Sequence, residues 1–485
     1  MSFKISKYSE MGGSFATQPH IGIPTTQTEA IDMIEDIILP SSLPVGYLNQ
    51  QGSTLTFNVP ESDVYTDFSK SYLRIKGTWN DTTGNGPQMA DLCAPVANFP
   101  SSLFSDVGFY MNDTTISPNK QGDLWISFVD RLLLNRRGAV GNSNSFGVSA
   151  NELDSEIGLD MLDTVGQGGR AQANNGTANF GAQKRATTIV ADSTGGGGGA
   201  ANTNTYEYLY QPAIGVWKIK KYIPDRVKLQ LDLRISQAGL YAFGGAGAGN
   251  QWAFTITTIE LILHRLKMHQ AVADQNRTII TVDRPWVSPF GQYLYTRNSI
   301  NLGVSTFDLV SVHKGMRPKF VLVMITDQAT TAGNWLSNPY YISEGDIGTV
   351  AGANTPKQNY VSYIYLKVNG KQYPIRKGYD PSSIYGHQRD YRALLTSCAD
   401  GVGLPAMDGT LITYRHYGSN YTIYCFQLTP EEGNSDEFFL TEDTNVELHG
   451  TFSVATQAQQ IVHTIAYVPA VLNIDSARVC SVSFR

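Results

Sequence analysis

Histidine spacing is the first guide to whether this chain carries a metal or catalytic centre. The eight histidines are scattered along the sequence. His264 and His269 lie five residues apart, with His264 on a predicted strand and His269 just after it. Zinc sites bring three or four nitrogen, sulfur or carboxylate ligands together, and no run of Cys, Asp or Glu accompanies this pair. We therefore predict packing or surface roles for both histidines, and no metal site.

Adjacent carboxylates raise a second possibility, which is acid–base chemistry. The pairs Glu431-Glu432 and Glu442-Asp443 stand beside turn residues, where solvated charge is the ordinary explanation. A glycosidase needs two carboxylates whose separation is set in three dimensions, so a carbohydrate-cleaving site stays open as an alternative. The sequence contains no HExxH, GxSxG or P-loop motif. We predict no catalytic residues, no cofactor-binding residues and no enzyme activity.

The cysteines indicate a reducing compartment. Cys93, Cys398, Cys425 and Cys480 are far apart and form no CxxC pair, so ordinary reduced or buried thiols are expected. The first residues, MSFKISKYSEMGGSF, lack the hydrophobic run of a secretory signal. No stretch of the sequence approaches the roughly 20 apolar residues of a membrane helix. We expect neither secretion nor a membrane span.

One local basic cluster contrasts with the net charge of −6. It comprises Lys218, Lys220, Lys221, Arg226 and Lys228. A solvated strand face is the ordinary explanation of such a cluster, and a patch that faces nucleic acid is the alternative. The overall negative charge argues against a surface that binds polyanions generally. We expect no sequence-specific binding of nucleic acid.

The elements that must position these side chains are mainly strands. Between 227 and 235 the sequence VKLQLDLRI alternates apolar and polar residues, which places one set of side chains on each face of a pleated strand. Similar alternation occurs at 54–59 and 73–79. One buried face and one wet face are typical of antiparallel sheets.

Two segments in the two halves of the chain are similar. Residues 107–118 read VGFYMNDTTISP, and residues 364–374 read IYLKVNGKQYP. Each is an apolar strand that ends in a turn beginning with Asn112 or Asn369 and then reaches a proline. Short Asn-containing turns between apolar runs are typical of β-hairpins.

The order of the elements that follow repeats as well. Helix-like stretches come next, at 123–134 and 382–397, and strands come after them, at 227–235 and 446–454. Each copy then closes with a further strand. A repeated order of this kind indicates two copies of one β-rich unit.

We divide the chain at His269. Residues 45–268 and 269–485 make two units of near-equal size, as a duplication requires. Units of about 200 residues with some eight antiparallel strands suit a jelly roll. The predicted fold class is all-β, with two tandem antiparallel jelly rolls, a double jelly roll, and few short helices.

Two segments are predicted to lie outside the cores of these units. Residues 1–44 have the composition of an N-terminal arm, either disordered or docked on a neighbour, with one apolar stretch from Ile31 to Leu39. Residues 138–204 are rich in Gly, Asn, Ala, Ser and Thr and include a glycine run at 195–199. A glycine run does not define one backbone conformation, so we predict a long exposed loop. A linker between domains is the alternative.

Six segments, in order along nearly the whole chain, carry a resemblance to a known family. They are PTTQT at 24–28, SKSYLRIKG at 69–77, LFSDVGFYMNDTTISP at 103–118, IPDRVKLQLDL at 223–233, ELILHRLKM at 260–268 and YTIYCFQLTP at 421–430. Together they resemble the major capsid proteins of the Polinton/Maverick and adintovirus lineage, with virophages as more distant relatives. The loop at 138–204 departs from the family pattern.

The resemblance implies a double jelly-roll major capsid protein. Such a protein is expected to form pseudo-hexagonal homotrimers of six jelly rolls, which tile an icosahedral viral shell around double-stranded DNA. The expected partners are the other copies of the trimer, neighbouring capsomers, and penton and minor capsid proteins. The expected location is the virion capsid, after assembly inside the host cell.

Two other function classes remain as alternatives. A carbohydrate-binding or carbohydrate-cleaving β-sandwich protein would use some of the 26 tyrosines as a sugar-binding surface, although Tyr is also an ordinary strand residue. A secreted adhesin or fibre module would need the secretory signal that we do not find. Stable trimers or particles would favour the capsid protein, and a tight glycan complex with a monomer would favour the carbohydrate-binding protein.

Overall fold

A computed structural model describes residues 30–40, 52–88, 91–96, 99–117, 123–127, 129, 180–192, 203–219, 221–244, 249–335, 339, 360–381, 386–401, 414, 417, 421–428 and 443–483. The segment PTTQT and most of the predicted loop at 138–204, including its glycine run, lie outside these residues. So do Lys220, Glu431, Glu432 and Glu442.

The strands described in the first half all pair antiparallel. They are β1 (Ala30–Ile38), β2 (Thr54–Val59), β3 (Tyr65–Asp81), β4 (Ala94–Pro95), β5 (Phe104–Met111), β6 (Thr114–Thr115), β7 (Tyr206–Tyr210), β8 (Leu229–Ile235), β9 (Ala242–Phe243) and β10 (Trp252–Met268). They form a sheet of order β1-β10-β3-β7, a sheet of order β2-β8-β5-β6 and a small ribbon of β4 and β9.

The strands described in the second half also pair antiparallel. They are β11 (Trp286–Ile300), β12 (Thr306–Met316), β13 (Phe320–Asp327), β14 (Val361–Val368), β15 (Lys371–Tyr373), β16 (Tyr424–Gln427), β17 (Asp443–Phe452), β18 (Gln460–Ile474) and β19 (Cys480–Ser483). They form a sheet of order β11-β18-β13-β16, with β19 paired to β18, and a sheet of order β12-β17-β14-β15.

The two halves have the same topology. Apart from the β4–β9 ribbon and β19, each half contributes eight of the described strands, and the order in one sheet is first, eighth, third, sixth. The order in the other sheet is second, seventh, fourth, fifth. Two four-stranded antiparallel sheets with these long crossings make a jelly roll. The predicted double jelly roll is confirmed, while the domain boundary at residues 268 and 269 stays a prediction.

The apolar alternation seen in the sequence produces the core. Leu229, Leu231 and Leu233 of β8 are buried, and the polar residues between them are more exposed. Their buried face meets the long pair of β3 and β10, where Leu73 and Leu261 lie opposite each other. Each fully buried Leu stabilises the fold by about 1.5–3 kcal/mol relative to an exposed one.

One sheet of the second half is buried on both faces. On β13, the side chains of Val321, Val323 and Ile325 belong to the core of the second half. The alternate side chains of Phe320, Leu322 and Met324 belong instead to the large cluster centred on the first half. Side chains of the first half therefore pack on the outer face of the sheet β11-β18-β13-β16, together with side chains of the second half such as Leu394.

Helices are short and lie between strands. They are α1 (Phe99–Ser102), α2 (Asp123–Ser127), α3 (Phe180–Asp192), α4 (Gln270–Ile279), α5 (Gln328–Thr331) and α6 (Gln388–Gly401). Helix α2 coincides with the start of the stretch predicted at 123–134, and α6 begins later than the stretch predicted at 382–397. No helix in the described ranges is long and apolar enough to cross a membrane.

Two segments that we predict to lie outside the cores contain elements that belong to the first jelly roll. Residues 30–38 of the predicted arm form β1, an integral strand that pairs with β10 from Met268 to Leu261. Residues 180–192 of the predicted exposed loop form α3, whose Ala182, Ala186 and Ile189 side chains are buried against the first core. Small alanine side chains let α3 pack closely on the core. The Gly- and Ala-rich composition of residues 138–204 is typical of a loop, and for that reason the sequence does not predict this helix.

Candidate functional site: the junction of the two halves

The two histidines singled out by their spacing do not share a site. The Nε2 atom of His264, on β10, lies 3.2 Å from Oε1 of Glu35 on β1. His269 caps α4, where its side chain accepts a hydrogen bond from the backbone N–H of Ala271. Across the described residues, no group of three or more His, Cys, Asp or Glu could hold a metal ion.

The described cysteines are buried thiols. Cys93, Cys425 and Cys480 are free and inaccessible to water. Burial raises the pKa of the Cys93 and Cys480 thiols to about 12, so both stay protonated at neutral pH and are poor nucleophiles. The side chain of Cys398 lies outside the described residues.

The described members of the basic cluster are partly or fully exposed, but they lie in turns and before a strand rather than along a strand face. Lys218 lies in a 3-10 turn, Arg226 in a turn with a positive φ of 58°, and Lys228 just before β8. Two of the lysines reach the second half of the chain. The Lys218 ammonium lies 5.3 Å from the ring centroid of Tyr293, and Lys221 Nζ donates to the Val287 carbonyl.

Asp225 is the centre of a charged contact between the halves. Its side chain is fully buried. It accepts hydrogen bonds from Nε and Nη2 of Arg277 on α4, at 2.8 and 2.5 Å, and from Arg478 between β18 and β19. A buried carboxylate needs such donors to replace water. Asp225 of the first half is thus bound by two arginine side chains of the second half.

No local sequence pattern predicts this contact. Asp225 is 52 residues from Arg277 and 253 residues from Arg478, so no motif spacing connects them. Asp225 itself lies in the segment IPDRVKLQLDL, and the hairpin turn at Asn112 is a second sequence feature nearby. The Asn112 side chain donates to the Arg478 carbonyl at 2.5 Å, which extends the contact to a third segment.

A cavity of about 540 Å³ opens beside the Asp225 contact. Both halves line it, and its cations are Arg226, Lys228, Arg277 and Arg478. Each of these cations pairs with a carboxylate. Arg226 contacts Asp63 at 2.8 Å and Lys228 contacts Asp113 at 3.0 Å, and the other two hold Asp225. Glu61 also lines the cavity. The four cations therefore lie beside four carboxylates, and the cavity is not a basic patch for a polyanion.

His463 lies at a second part of the junction. It is on β18 and fully buried. Its Nδ1 lies 2.8 Å from the Tyr295 hydroxyl and its Nε2 lies 2.7 Å from the Thr326 hydroxyl. The Trp125 ring, from the first half, packs on the imidazole with centroids 4.1 Å apart. Burial lowers the pKa of His463 to about 3, with a smaller contribution from Arg297.

The backbones of the two halves also come very close together at the junction. Gly215, from the first half, lies so near β11 that a Cβ atom on it would be 2.1 Å from the Gly291 carbonyl oxygen. Gln292 Nε2, also on β11, donates to the Ile116 carbonyl at 3.1 Å. A side chain at position 215 would force the halves apart. The junction is thus a built interface between two jelly rolls, held by ion pairs, hydrogen bonds and close backbone packing.

The chain has the fold of two solved viral structures over almost its full length. One is a chain of the Sputnik virophage determined by cryo-electron microscopy, with a TM-score of 0.56 and 10% identity over 96% of this chain and 91% of that chain. The other is the Faustovirus major capsid protein, with a TM-score of 0.50 and 9% identity over 97% of each chain. No protein-family model and no curated protein matches the sequence.

Proposed function

We propose that the chain is the major capsid protein of a virus and that its place is the virion capsid. The observation that carries the proposal is the pair of jelly rolls with one strand order in a single chain. The likeness in fold to the Faustovirus major capsid protein, over 97% of both chains, supports it. The role is structural, and the chain acts through its surfaces rather than through a reaction.

The duplicated architecture suits a shell. Two similar units in each chain, repeated by a threefold axis, give six similar lobes. A six-lobed tile meets its neighbours on all sides through nearly equivalent contacts, so copies of one chain can pave a closed surface. The proposed building block is therefore a pseudo-hexagonal homotrimer.

The finer features of the proposal rest on the sequence resemblance to the Polinton/Maverick, adintovirus and virophage lineage. They are an icosahedral shell, a genome of double-stranded DNA, and contacts with neighbouring capsomers and with penton and minor capsid proteins. Assembly inside the host cell agrees with the free thiols of Cys93, Cys425 and Cys480.

Mass measurement and imaging of the purified protein test the proposal. A homotrimer has three times the chain mass of 53.1 kDa, or about 159 kDa, which light scattering after gel filtration distinguishes from a monomer. Negative-stain electron microscopy should show six-lobed particles or closed shells. A stable monomer at micromolar concentration that binds a glycan tightly would replace the capsid proposal with the carbohydrate-binding alternative.

We further propose that residues 1–29 contribute contacts between capsomers. The deletion that tests this should stop before β1, because removing residues 30–38 would remove a strand of the first jelly roll. A chain lacking residues 1–29 should still form trimers but give fewer assembled particles than the full chain. Equal particle yields would exclude these residues from assembly.

A further inference from the structure

The cavity of about 540 Å³ beside Asp225 is lined by strained backbone. Of the seven non-glycine residues with a positive φ in the described part of the chain, four line this cavity, and they are Asn112, Asp113, Arg226 and Arg478. Asn112 and Asp113 suit their hairpin turn, but arginine does not favour this conformation. Non-glycine residues with left-handed backbones are concentrated at functional sites, so the cavity is a candidate binding site.

Carboxylates outnumber cations around this cavity. Its cations are Arg226, Lys228, Arg277 and Arg478. The carboxylates that contact them are Asp63, Asp113, Asp225 and Asp274. Glu61 lines the cavity too, is exposed, and makes no ion pair with another described residue. Because the surplus charge is negative and lies at the surface, the cavity favours a positively charged partner.

One wall of the cavity is apolar. Ala477 and Val479 line it on the turn between β18 and β19, and Val479 is 59% exposed. A partner that fits both features carries cationic and apolar side chains close together.

Residues 1–29 connect to the first jelly roll close to this cavity. Ala30, which follows them, is opposite Met268, the last residue of β10. Helix α4 begins two residues after Met268, and its eighth residue, Arg277, lines the cavity. Arg277 is therefore separated from this end of β10 by only about two helical turns, or ~12 Å of helix length.

The segment 3–10, FKISKYSE, matches the chemistry of the cavity. Its charged residues are Lys4, Lys7 and Glu10, and its apolar residues include Phe3 and Ile5. Two lysines for one glutamate leave a positive charge, which complements the exposed carboxylate of Glu61. The apolar side chains can cover Val479.

We propose that residues 3–10 of one copy of the chain dock in the cavity of a copy in a neighbouring capsomer. The lysines contact Glu61, and the apolar side chains lie on Val479. This inference rests on the proposed function and names the surface that receives the N-terminal segment in the shell. Since both halves line the cavity, a docked segment also braces the junction between them.

The length of the N-terminal segment favours a neighbouring copy over the same chain. Residues 11–29 separate the docking residues from β1, and a fully extended chain of this length spans up to about 60 Å. A contact within one chain would use only a small part of that length, because the cavity is close to the start of β1.

Charge reversal in the full-length protein tests the contact. Glu61→Lys places a like charge opposite the proposed lysines, and the control Asp283→Lys reverses an exposed carboxylate that does not line the cavity. Both variants should remain trimeric by light scattering. The yield of assembled particles should fall about tenfold in Glu61→Lys, because like charges repel across a contact, and should not change in the control.

The reciprocal variant Lys4→Glu, Lys7→Glu should lose particles to a similar extent. Combining it with Glu61→Lys restores opposite charges and should recover the wild-type yield. A wild-type yield in Glu61→Lys, or no recovery in the combined variant, would overturn the inference and leave the capsid proposal intact. A wild type that stays monomeric at micromolar concentration would contradict the proposed function itself.

A second measurement locates the segment directly and needs no charge reversal. A benzophenone amino acid at position 5 is activated by light in particles assembled from a mixture of isotope-labelled and unlabelled chains. Cross-linked peptides should join position 5 to residues 61–63 or 476–479 of a different chain. Cross-links confined to the same chain, or to surfaces away from the cavity, would refute the docking site.

Discussion

Asn112 and Asn369 make the same pair of hydrogen bonds in the two halves of the chain. The Asn112 backbone N–H donates to the Lys228 carbonyl at 2.9 Å, and its Oδ1 accepts from the Lys228 N–H at 2.7 Å. The Asn369 N–H donates to the Asn445 carbonyl at 3.2 Å, and its Oδ1 accepts from the Asn445 N–H at 3.0 Å. Each Asn joins the fourth strand of its jelly roll to the seventh.

Both asparagines have left-handed backbones, with φ of 44° and 48°. Each begins a two-residue turn in which the next residue also has a positive φ, 64° at Asp113 and 82° at Gly370. This is the type I′ geometry that suits the twist of a hairpin. Asn tolerates it better than most residues, and its side chain supplies the acceptor that the neighbouring strand needs.

Replacement of either asparagine by alanine should destabilise the protein by about 1–3 kcal/mol, since it leaves a backbone N–H without its acceptor and strains the turn. The comparison variants are Asn112→Asp and Asn369→Asp, which keep the Oδ1 acceptor and tolerate a positive φ. Each loses only the Nδ2–H that donates to the Arg478 or the Asp443 carbonyl. Urea unfolding should rank the alanine variants well below the aspartate variants. Equal stability of the two types would show that the acceptor contributes nothing.

The sequence alone predicts these turns because the residue preferences of a hairpin turn depend only on a few neighbouring residues. The same holds for β8, expected at 227–235 and found at Leu229–Ile235, because alternation along one strand reports directly on burial. Helix α4 was missed because only Ala273 and Asn276 are buried in its ten residues, so it lacks the apolar stripe that marks a helix. The Asp225 contact was missed because its members are distant in sequence and meet only in the folded chain.

Asp225 should contribute far more to stability than Asp63, which contacts the same Arg277 side chain. Replacing Asp225 by alanine leaves Arg478 without the carboxylate it contacts and leaves Arg277 with only the exposed carboxylates of Asp63 and Asp274. Removal of one partner from a buried ion pair costs about 3–5 kcal/mol. The Asp63 side chain is 69% exposed although it contacts Arg277 as well, and exposed pairs contribute about 0–1 kcal/mol.

The measurement for this pair is the free energy of unfolding of Asp225→Ala and Asp63→Ala in urea. Asp63 is the appropriate control because both carboxylates accept from the same guanidinium. A loss of stability in Asp63→Ala as large as that in Asp225→Ala would mean that burial is not what makes the contact important. Limited proteolysis near residue 269 should also accelerate only in Asp225→Ala, if the junction loosens before the jelly rolls unfold.

Helix α3 should be needed for the first core even though its sequence has the composition of a loop. Ala186→Asp would place a charge where the side chain is now 2% exposed, at a cost of several kcal/mol, about 3 or more. The adjacent Thr187 is exposed on the same helix, so Thr187→Asp should change stability by less than about 0.5 kcal/mol. Similar unfolding midpoints for the two variants would show that α3 does not pack on the core in solution.

Acid should weaken the junction through His463. The pKa of His463 in the folded chain is about 3 and the ordinary value is 6.5, so the unfolded chain binds a proton first as the pH falls. The stabilisation by neutral His463 is therefore complete above pH 6.5 and is lost progressively between pH 6.5 and 3. Within this window, protonation of His463 should lower the free energy of unfolding by roughly 1 kcal/mol for each unit by which the pH falls.

His463→Gln removes the titrating group while keeping a donor and an acceptor for the hydroxyls of Tyr295 and Thr326. The variant should be less stable than the wild type at pH 7, because it loses the packing of the imidazole on Trp125. Its unfolding free energy should depend less steeply on pH between 6.5 and 4. Trp125 fluorescence in a chain that retains only this tryptophan would follow the junction directly. Parallel pH profiles for wild type and variant would show that acid sensitivity arises elsewhere, for example from the carboxylates around Arg277.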